Sequence, residues 1–230
     1  MIPRHVAIVM DGNRRWAQAH KLPVLCGYQR GVAALRRTLR AAQRSGVRIV
    51  TVYAFSEENW NRPAAEVELL MALFVEAAVR ELPALADEGV CVRLCGRLDR
   101  LPAATRAALE RMVEGTAANA ALTLNLALDY GGRSEIGDAV RALVGEVTAG
   151  LRDIESIDEH AVQSRLYTAG LPDPDLVIRT GGELRLSNFL LFQAAYAEFW
   201  ATPTFWPDFT GVELKAALDD FAMRQRRYGT

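Results

Sequence analysis

Lysine is almost missing from this chain: 27 of its 230 residues are Lys or Arg, and only Lys21 and Lys215 are lysines. Guanidinium forks hold two phosphate oxygens in fixed geometry, so the bias suits repeated diphosphate recognition, although a genome favouring arginine codons gives the same composition. Net positive charge is missing too. The 28 acidic residues leave a formal charge of −1, so no global basic field draws nucleic acid, and any polyanion site must be local. Histidine occurs three times, at His5, His20 and His160, far apart and without cysteine pairs, which excludes a zinc constellation built on local spacing. The three cysteines form no disulfide framework. A strand over 90–96 would hold Cys91 and Cys95 roughly 13 Å apart, too far to bridge or share a metal. No apolar stretch reaches the ~18 residues of a membrane span and no signal-peptide pattern is visible. The expectation is a cytoplasmic protein whose membrane contact, if any, is peripheral.

Apolar residues make up 50% of the chain, ample for one α/β domain spanning residues 1–230. His5-Val-Ala-Ile-Val-Met10 is a nearly continuous apolar run ending in Asp-Gly-Asn, the pattern of a buried strand followed by a turn. Further strands are expected over 48–55, 90–96, 122–128 and 175–179. Helices are expected over about 31–44, from Pro63 to about 88, from Pro102, from Arg133, and over 211–228, where the basic run Arg224-Gln-Arg-Arg227 lies. This alternation predicts a mostly parallel central sheet flanked by helices.

Three strand ends carry polar chemistry. Asp11 precedes Gly12 and Asn13, so its carboxylate could hold Mg²⁺ beside backbone amides that face a phosphate, or could cap the helix that starts near Arg14; local sequence does not separate the two. Ser56-Glu-Glu-Asn-Trp-Asn-Arg62 packs a hydroxyl, two carboxylates, amides, an indole and a guanidinium into one turn. Arg179-Thr-Gly-Gly182, with Arg185, Ser187 and Asn188 close behind, has the composition of an anion cradle, or of a plain glycine turn with a surface ion pair. If these strands are parallel neighbours, all three turns open on one sheet edge, where ligands of open α/β sheets bind.

Taken together, the segments 5–17, 53–63, 126–133, 175–191, Tyr196-Ala-Glu198 and Trp206-Pro207 resemble the cis-prenyltransferase family, the undecaprenyl diphosphate synthase type. The resemblance implies that fold and a transferase that condenses isopentenyl diphosphate with an allylic diphosphate into a Z-configured polyprenyl diphosphate, such as the undecaprenyl diphosphate used as a cell-wall lipid carrier. It implies Asp11 and Glu198 as Mg²⁺ carboxylates, Glu198 being able to act from the neighbourhood of a partner subunit, and Gly12, Asn13, Arg14 and Arg15 as the allylic diphosphate cradle with Trp16 as a wall. Ser56, Glu57 and Glu58 would line the substrate, with Trp60 and Arg62 beside it. Asn59 falls where the family places its proton acceptor; a carboxamide has almost no basicity, so it more plausibly orients a water or diphosphate oxygen that takes the proton. Arg179, Arg185 and Ser187 would bind isopentenyl diphosphate, with Leu186 contributing backbone only. A homodimer is implied.

Val24 and Tyr28 depart from the family, which carries an arginine and a histidine there; both positions are expected to face the allylic diphosphate. The Gly27-Tyr-Gln-Arg-Gly31 version is similar to members that make short products such as Z-farnesyl diphosphate, whereas the small Ala54 leaves room for a longer chain. A non-catalytic regulatory subunit is a third reading, disfavoured because Asp11, Asn59, Arg179 and Glu198 are all present. The Pro63 helix, apolar around most of its circumference, fits either a wall of an acyl tunnel or ordinary core packing.

Overall fold

The computed structural model describes residues 1–224. Six strands, β1 (His5–Val9), β2 (Ile49–Ser56), β3 (Val90–Cys95), β4 (Leu122–Tyr130), β5 (Leu176–Arg179) and β6 (Glu198–Ala201), form one sheet in the order β3-β4-β2-β1-β5-β6. Every neighbouring pair is parallel. The central strand β1 is buried along its whole length, which is why it reads as a continuous apolar run rather than an alternation. Its side chains still alternate between faces. Val6 and Ile8 pack into the layer that holds α2 (Val24–Arg44), α3 (Ala64–Asp87), α4 (Ala103–Thr116) and α7 (Gly211–Met223). Ala7 and Val9 pack on the opposite side with Tyr130, Phe189 and Leu190. Removing such side chains from water stabilises the fold by about 1.5–3 kcal/mol apiece. α1 (Asn13–Ala19), α5 (Gly132–Thr148) and the short α6 (Glu159–Gln163) complete the helices of the described residues.

Two elements differ from expectation. α2 starts at Val24, seven residues before the predicted start, although Gly27 and Gly31 weaken its helix propensity. Packing explains why they stay: a Cβ on Gly31 would lie 2.4 Å from the Asn13 Oδ1 and 3.1 Å from Trp206, so only glycine lets α2 lie against Asn13. β6 was not expected at all; it is a half-buried edge strand of four residues. The last helix ends at Met223, and residues 225–227 of the basic run lie outside the described residues. All three cysteines are free, and among the described residues no helix is long and apolar enough to cross a membrane.

Candidate active site

The order β2-β1-β5 brings the three polar turns side by side at the C-terminal edge of the sheet. The register Val9↔Arg179 sets Arg179 next to the end of β1. Its Nη2 and Nε donate to the Asp11 Oδ2 at 2.6 and 3.0 Å. The Arg179 side chain is only 3% exposed, and it also donates to the Ser187 Oγ at 2.9 Å and to the Arg185 carbonyl. Asp11 therefore does not cap α1: the residue in the cap position is Gly12, at φ +115°, where an added Cβ would meet Phe205 at 2.8 Å. The carboxylate points to the arginine instead, and Oδ1 has no hydrogen-bond partner among the described residues.

β2 ends in a 3-10 turn, Glu57–Asn61, in which the Asn59 Oδ1 accepts the Ser56 backbone N–H at 3.2 Å. One lone pair of the Asn59 amide oxygen is thus engaged, which orients the carboxamide and leaves its NH₂ to offer a ligand. Glu58 accepts from the Asn188 Nδ2 at 3.0 Å. Burial opposes its ionisation, but hydrogen bonds from its own backbone, Asn188 and Ser56 outweigh that and hold the carboxyl below its usual range. Asn188 also binds the start of α5, through Gly132 and Arg133, so the β5 loop is tied to two neighbouring turns.

On the rim nearest α2, the Tyr28 hydroxyl donates to the Glu66 Oε1 at 2.7 Å and accepts from the Arg62 Nη1 at 2.6 Å. Glu66 also pairs with Arg62 at 3.2 Å and with Arg14 at 3.7 Å. Glu183 does the same for Arg15 and Arg185, at 3.6 and 2.6 Å. Each rim or mouth arginine of the predicted diphosphate set, Arg14, Arg15, Arg62, Arg179 and Arg185, therefore has a carboxylate partner. Glu66 and Glu183 were not singled out in the sequence. The spacing of four between Arg62, just before α3, and Glu66 in its first turn was the one signal available for Glu66.

Behind this mouth lies a cavity of about 700 Å³. Asp11, Asn13, Tyr28, Ser56, Glu58, Asn59, Arg62, Arg179, Arg185 and Ser187 line its polar end. From there it passes between α2 and α3 over β2 and β4, past Ala54, Leu35, Leu73 and Phe74, to Leu85, Leu109 and Met112. The all-round apolar character of α3 thus has two uses, since Val67 packs in the core while Leu70, Leu73, Phe74 and Ala77 face this cavity.

Other residues of the predicted set stand elsewhere. Trp16 is buried with its Nε1–H on Asp208 at 2.8 Å and its ring stacked on His20, so it does not wall the cavity. Trp60 packs on Phe55 and donates to the buried Asp129 at 2.7 Å. Val24 packs against the core, and Tyr28 reaches the mouth but has its hydroxyl committed to Glu66 and Arg62. Glu57 turns to Arg97 and the Ser134 hydroxyl, at 3.0 and 2.5 Å, away from the cavity. Leu186 is packed in the second core cluster.

Glu198 opens β6 in register with Leu176 and Val6, at the opposite edge of the sheet, and pairs with Arg224 at 2.8 Å. Asp11 is two strands over and five residues further along β1 and its turn, roughly 16 Å away along the strand direction alone. The two carboxylates do not share a site within one chain, so the expected pairing needs the neighbourhood of a partner subunit. Among the described residues no group of three metal-ligating side chains exists. The free Asp11 Oδ1 at the mouth nevertheless fits Mg²⁺, which often takes one or two carboxylates and draws the rest of its shell from water and substrate phosphates.

The comparisons with known proteins agree with this geometry. Residues 9–229 match the family model described as "Putative undecaprenyl diphosphate synthase". An isoprenyl transferase of Heliobacterium mobile is 49% identical over 228 residues, 99% of this chain and 88% of that protein. A (2E,6E)-farnesyl-diphosphate-specific ditrans,polycis-undecaprenyl-diphosphate synthase of Xanthomonas axonopodis pv. citri is 48% identical over 99% of this chain and 89% of its own. Among solved structures, lavandulyl diphosphate synthase from Lavandula x intermedia in complex with dimethylallyl diphosphate superposes with a TM-score of 0.96 at 34% identity, covering 100% of this chain and 99% of that one. A probable undecaprenyl diphosphate synthase from Campylobacter jejuni gives 0.82 at 31%, covering 99% of both. With the arginine-rich mouth, the cavity behind it and nearly the full length matched, this chain belongs to the undecaprenyl diphosphate synthase family of cis-prenyltransferases.

Proposed function

We propose that the protein condenses isopentenyl diphosphate with an allylic diphosphate and repeats the step to build a Z-configured polyprenyl diphosphate, with undecaprenyl diphosphate the product that its relatives favour. The observation that carries this reading is the junction of an arginine-lined mouth with an apolar cavity of about 700 Å³: diphosphates are held at one end while a hydrocarbon tail extends into the other. Asn13, Arg14 and Arg15 take the allylic diphosphate; Arg179, Arg185 and Ser187 take isopentenyl diphosphate. Mg²⁺, when held by Asp11 and the substrate, supplies the positive charge that stabilises the departing diphosphate. The chain's own arginines add to that stabilisation and hold both reactants in one crevice, which raises the rate by orientation. A neutral carboxamide has almost no basicity, so Asn59, whose oxygen accepts from Ser56, acts as a donor and not as a base. It orients a diphosphate oxygen or water, which then accepts the proton released as the new double bond forms.

A short product is the second reading, because of Tyr28 and the close superposition on a structure that contains dimethylallyl diphosphate. The depth of the cavity, down to Leu109 and Met112, and the small Ala54 on its wall favour the long one. A homodimer in the cytoplasm with peripheral membrane contact completes the proposal; the place of Glu198 at the far edge of the sheet makes the metal role of that residue depend on a partner subunit. Incubation with Mg²⁺, labelled isopentenyl diphosphate and geranyl or farnesyl diphosphate, followed by chromatography of the dephosphorylated products, tests the reaction. Elongated Z-polyprenols are expected, and no elongated product with either primer refutes it.

A further inference from the structure

One polar pair interrupts the apolar wall of the cavity. Arg36 on α2 and Glu81 on α3 both line it, near its inner end, in the seam between the two helices. Arg36 faces two ways: its side chain is 40% exposed to solvent, yet its Nε is buried and has no hydrogen-bond partner. Its other nitrogens only approach carboxylates, Glu81 at 3.6 Å and Glu88 at 3.7 Å, and neither contact is close enough for a hydrogen bond.

The seam is fastened more firmly just below. Arg40 donates to the Glu88 Oε1 at 2.9 and 2.5 Å, and the Gln43 amide donates to the Glu88 carbonyl at 3.1 Å. Glu81 is also held on its own helix by the Arg80 Nε at 2.9 Å, so Arg36–Glu81 is a looser link between α2 and α3 than Arg40–Glu88, with the apolar cavity on one side and water on the other. α3 is also weakened there. Pro83 lies inside the helix, two residues after Glu81, and has no N–H to give the Val79 carbonyl, so the helix bends more easily at this level.

We propose that Arg36 and Glu81 form a lateral gate that limits product length. A growing hydrocarbon tail held in the cavity meets the pair, and passes out between α2 and α3 only when the pair separates. The inference rests on the proposed elongation reaction. While the link is closed, further condensation must press an apolar tail against two charged groups, an unfavourable contact that a gap between the helices relieves. The unpartnered Arg36 Nε keeps the closed form from being strongly favoured. The gate thus sets how many condensations precede release and leaves the chemistry at Asp11 alone.

The test is the product-length distribution from a single preparation, normalised to total product so that any loss of overall rate cancels. Glu81→Ala and Arg36→Ala each remove the link, and Arg36→Lys keeps a cation opposite Glu81 and Glu88. Both alanine variants are expected to shift the main product up by at least one five-carbon unit, and Arg36→Lys to stay near that of the unaltered protein. Superimposable distributions in all four proteins overturn the gate while leaving the elongation reaction intact. So does an Arg36→Lys variant that behaves like the alanine ones. Absence of elongated product from the unaltered protein overturns both.

Discussion

Replacing Asp11 by alanine removes more than the proposed metal ligand, because the same carboxylate is the counter-ion of a buried guanidinium. Arg179 is 3% exposed and gives Asp11 two hydrogen bonds, at 2.6 and 3.0 Å. Deleting one partner of a buried pair costs about 3–5 kcal/mol. Arg179 keeps the Ser187 hydroxyl and the Arg185 carbonyl as acceptors, and Asp11 itself is 36% exposed. A loss of about 2–3 kcal/mol is therefore expected for Asp11→Ala. In a chain of this size that is a fall of about 5–10 °C in melting temperature. Turnover should fall by at least about a hundredfold. Asp11→Asn separates the two effects: its amide oxygen still accepts from Arg179, so most of the stability returns, but a neutral amide is a weak ligand for Mg²⁺ and turnover stays low. Thermal melts and steady-state rates on both variants check this. An unchanged melting temperature for Asp11→Ala, or near-normal turnover for Asp11→Asn, refutes the reasoning.

Two further outcomes follow from hydrogen bonds already described or visible in the core. Tyr28→Phe removes the hydroxyl that links Arg62 to Glu66, and because those two still pair directly at 3.2 Å the loss should be modest, about 1–2 kcal/mol; it should appear as a higher KM for the allylic substrate with kcat little altered, and an unchanged KM would show that Tyr28 does not position Arg62. His5 is buried between the Pro172 carbonyl and the Thr51 hydroxyl, each at 2.7 Å, and burial lowers its pKa from 6.5 to about 4. Between those values the unfolded chain binds the proton and the folded one does not, so the His5 contribution is fully present above pH 6.5 and is lost progressively as pH falls to 4, by about 3 kcal/mol. Urea midpoints should fall over that window, and His5→Gln should flatten the slope; an equal slope in both proteins would assign the acid sensitivity to other groups.

The central strands were legible because burial on both faces leaves a continuous apolar run, as in β1. β6 was not, since a half-buried edge strand of four residues, Glu198–Ala201, carries neither a run nor an alternation. The start of α2 was hidden by Gly27 and Gly31, whose purpose, contact with Asn13, exists only in three dimensions. The polar turns at Asp11, Ser56 and Arg179 announced themselves by their residue types, and the inferred parallel order then placed them on one edge. The direction in which each side chain turns could not be read. Glu57 and Glu58 are adjacent in sequence, yet one faces Arg97 and Ser134 while the other faces Asn188 and the cavity. The Arg14–Glu66 and Arg15–Glu183 pairings depend on helix packing and loop path, which local spacing does not encode.

The pairing of every mouth arginine with a carboxylate bears on how substrates arrive. Arg14 and Arg62 share Glu66, Arg15 and Arg185 share Glu183, and Arg179 faces Asp11. In a chain whose formal charge is −1, such a mouth projects little positive field into solution. Diffusional capture of a diphosphate is then weakly steered and weakly dependent on ionic strength, and recognition happens after contact, as phosphate oxygens displace carboxylates from guanidinium groups already held in place. Other polyanions, which have no hydrocarbon tail for the cavity, meet those same carboxylates without that compensation.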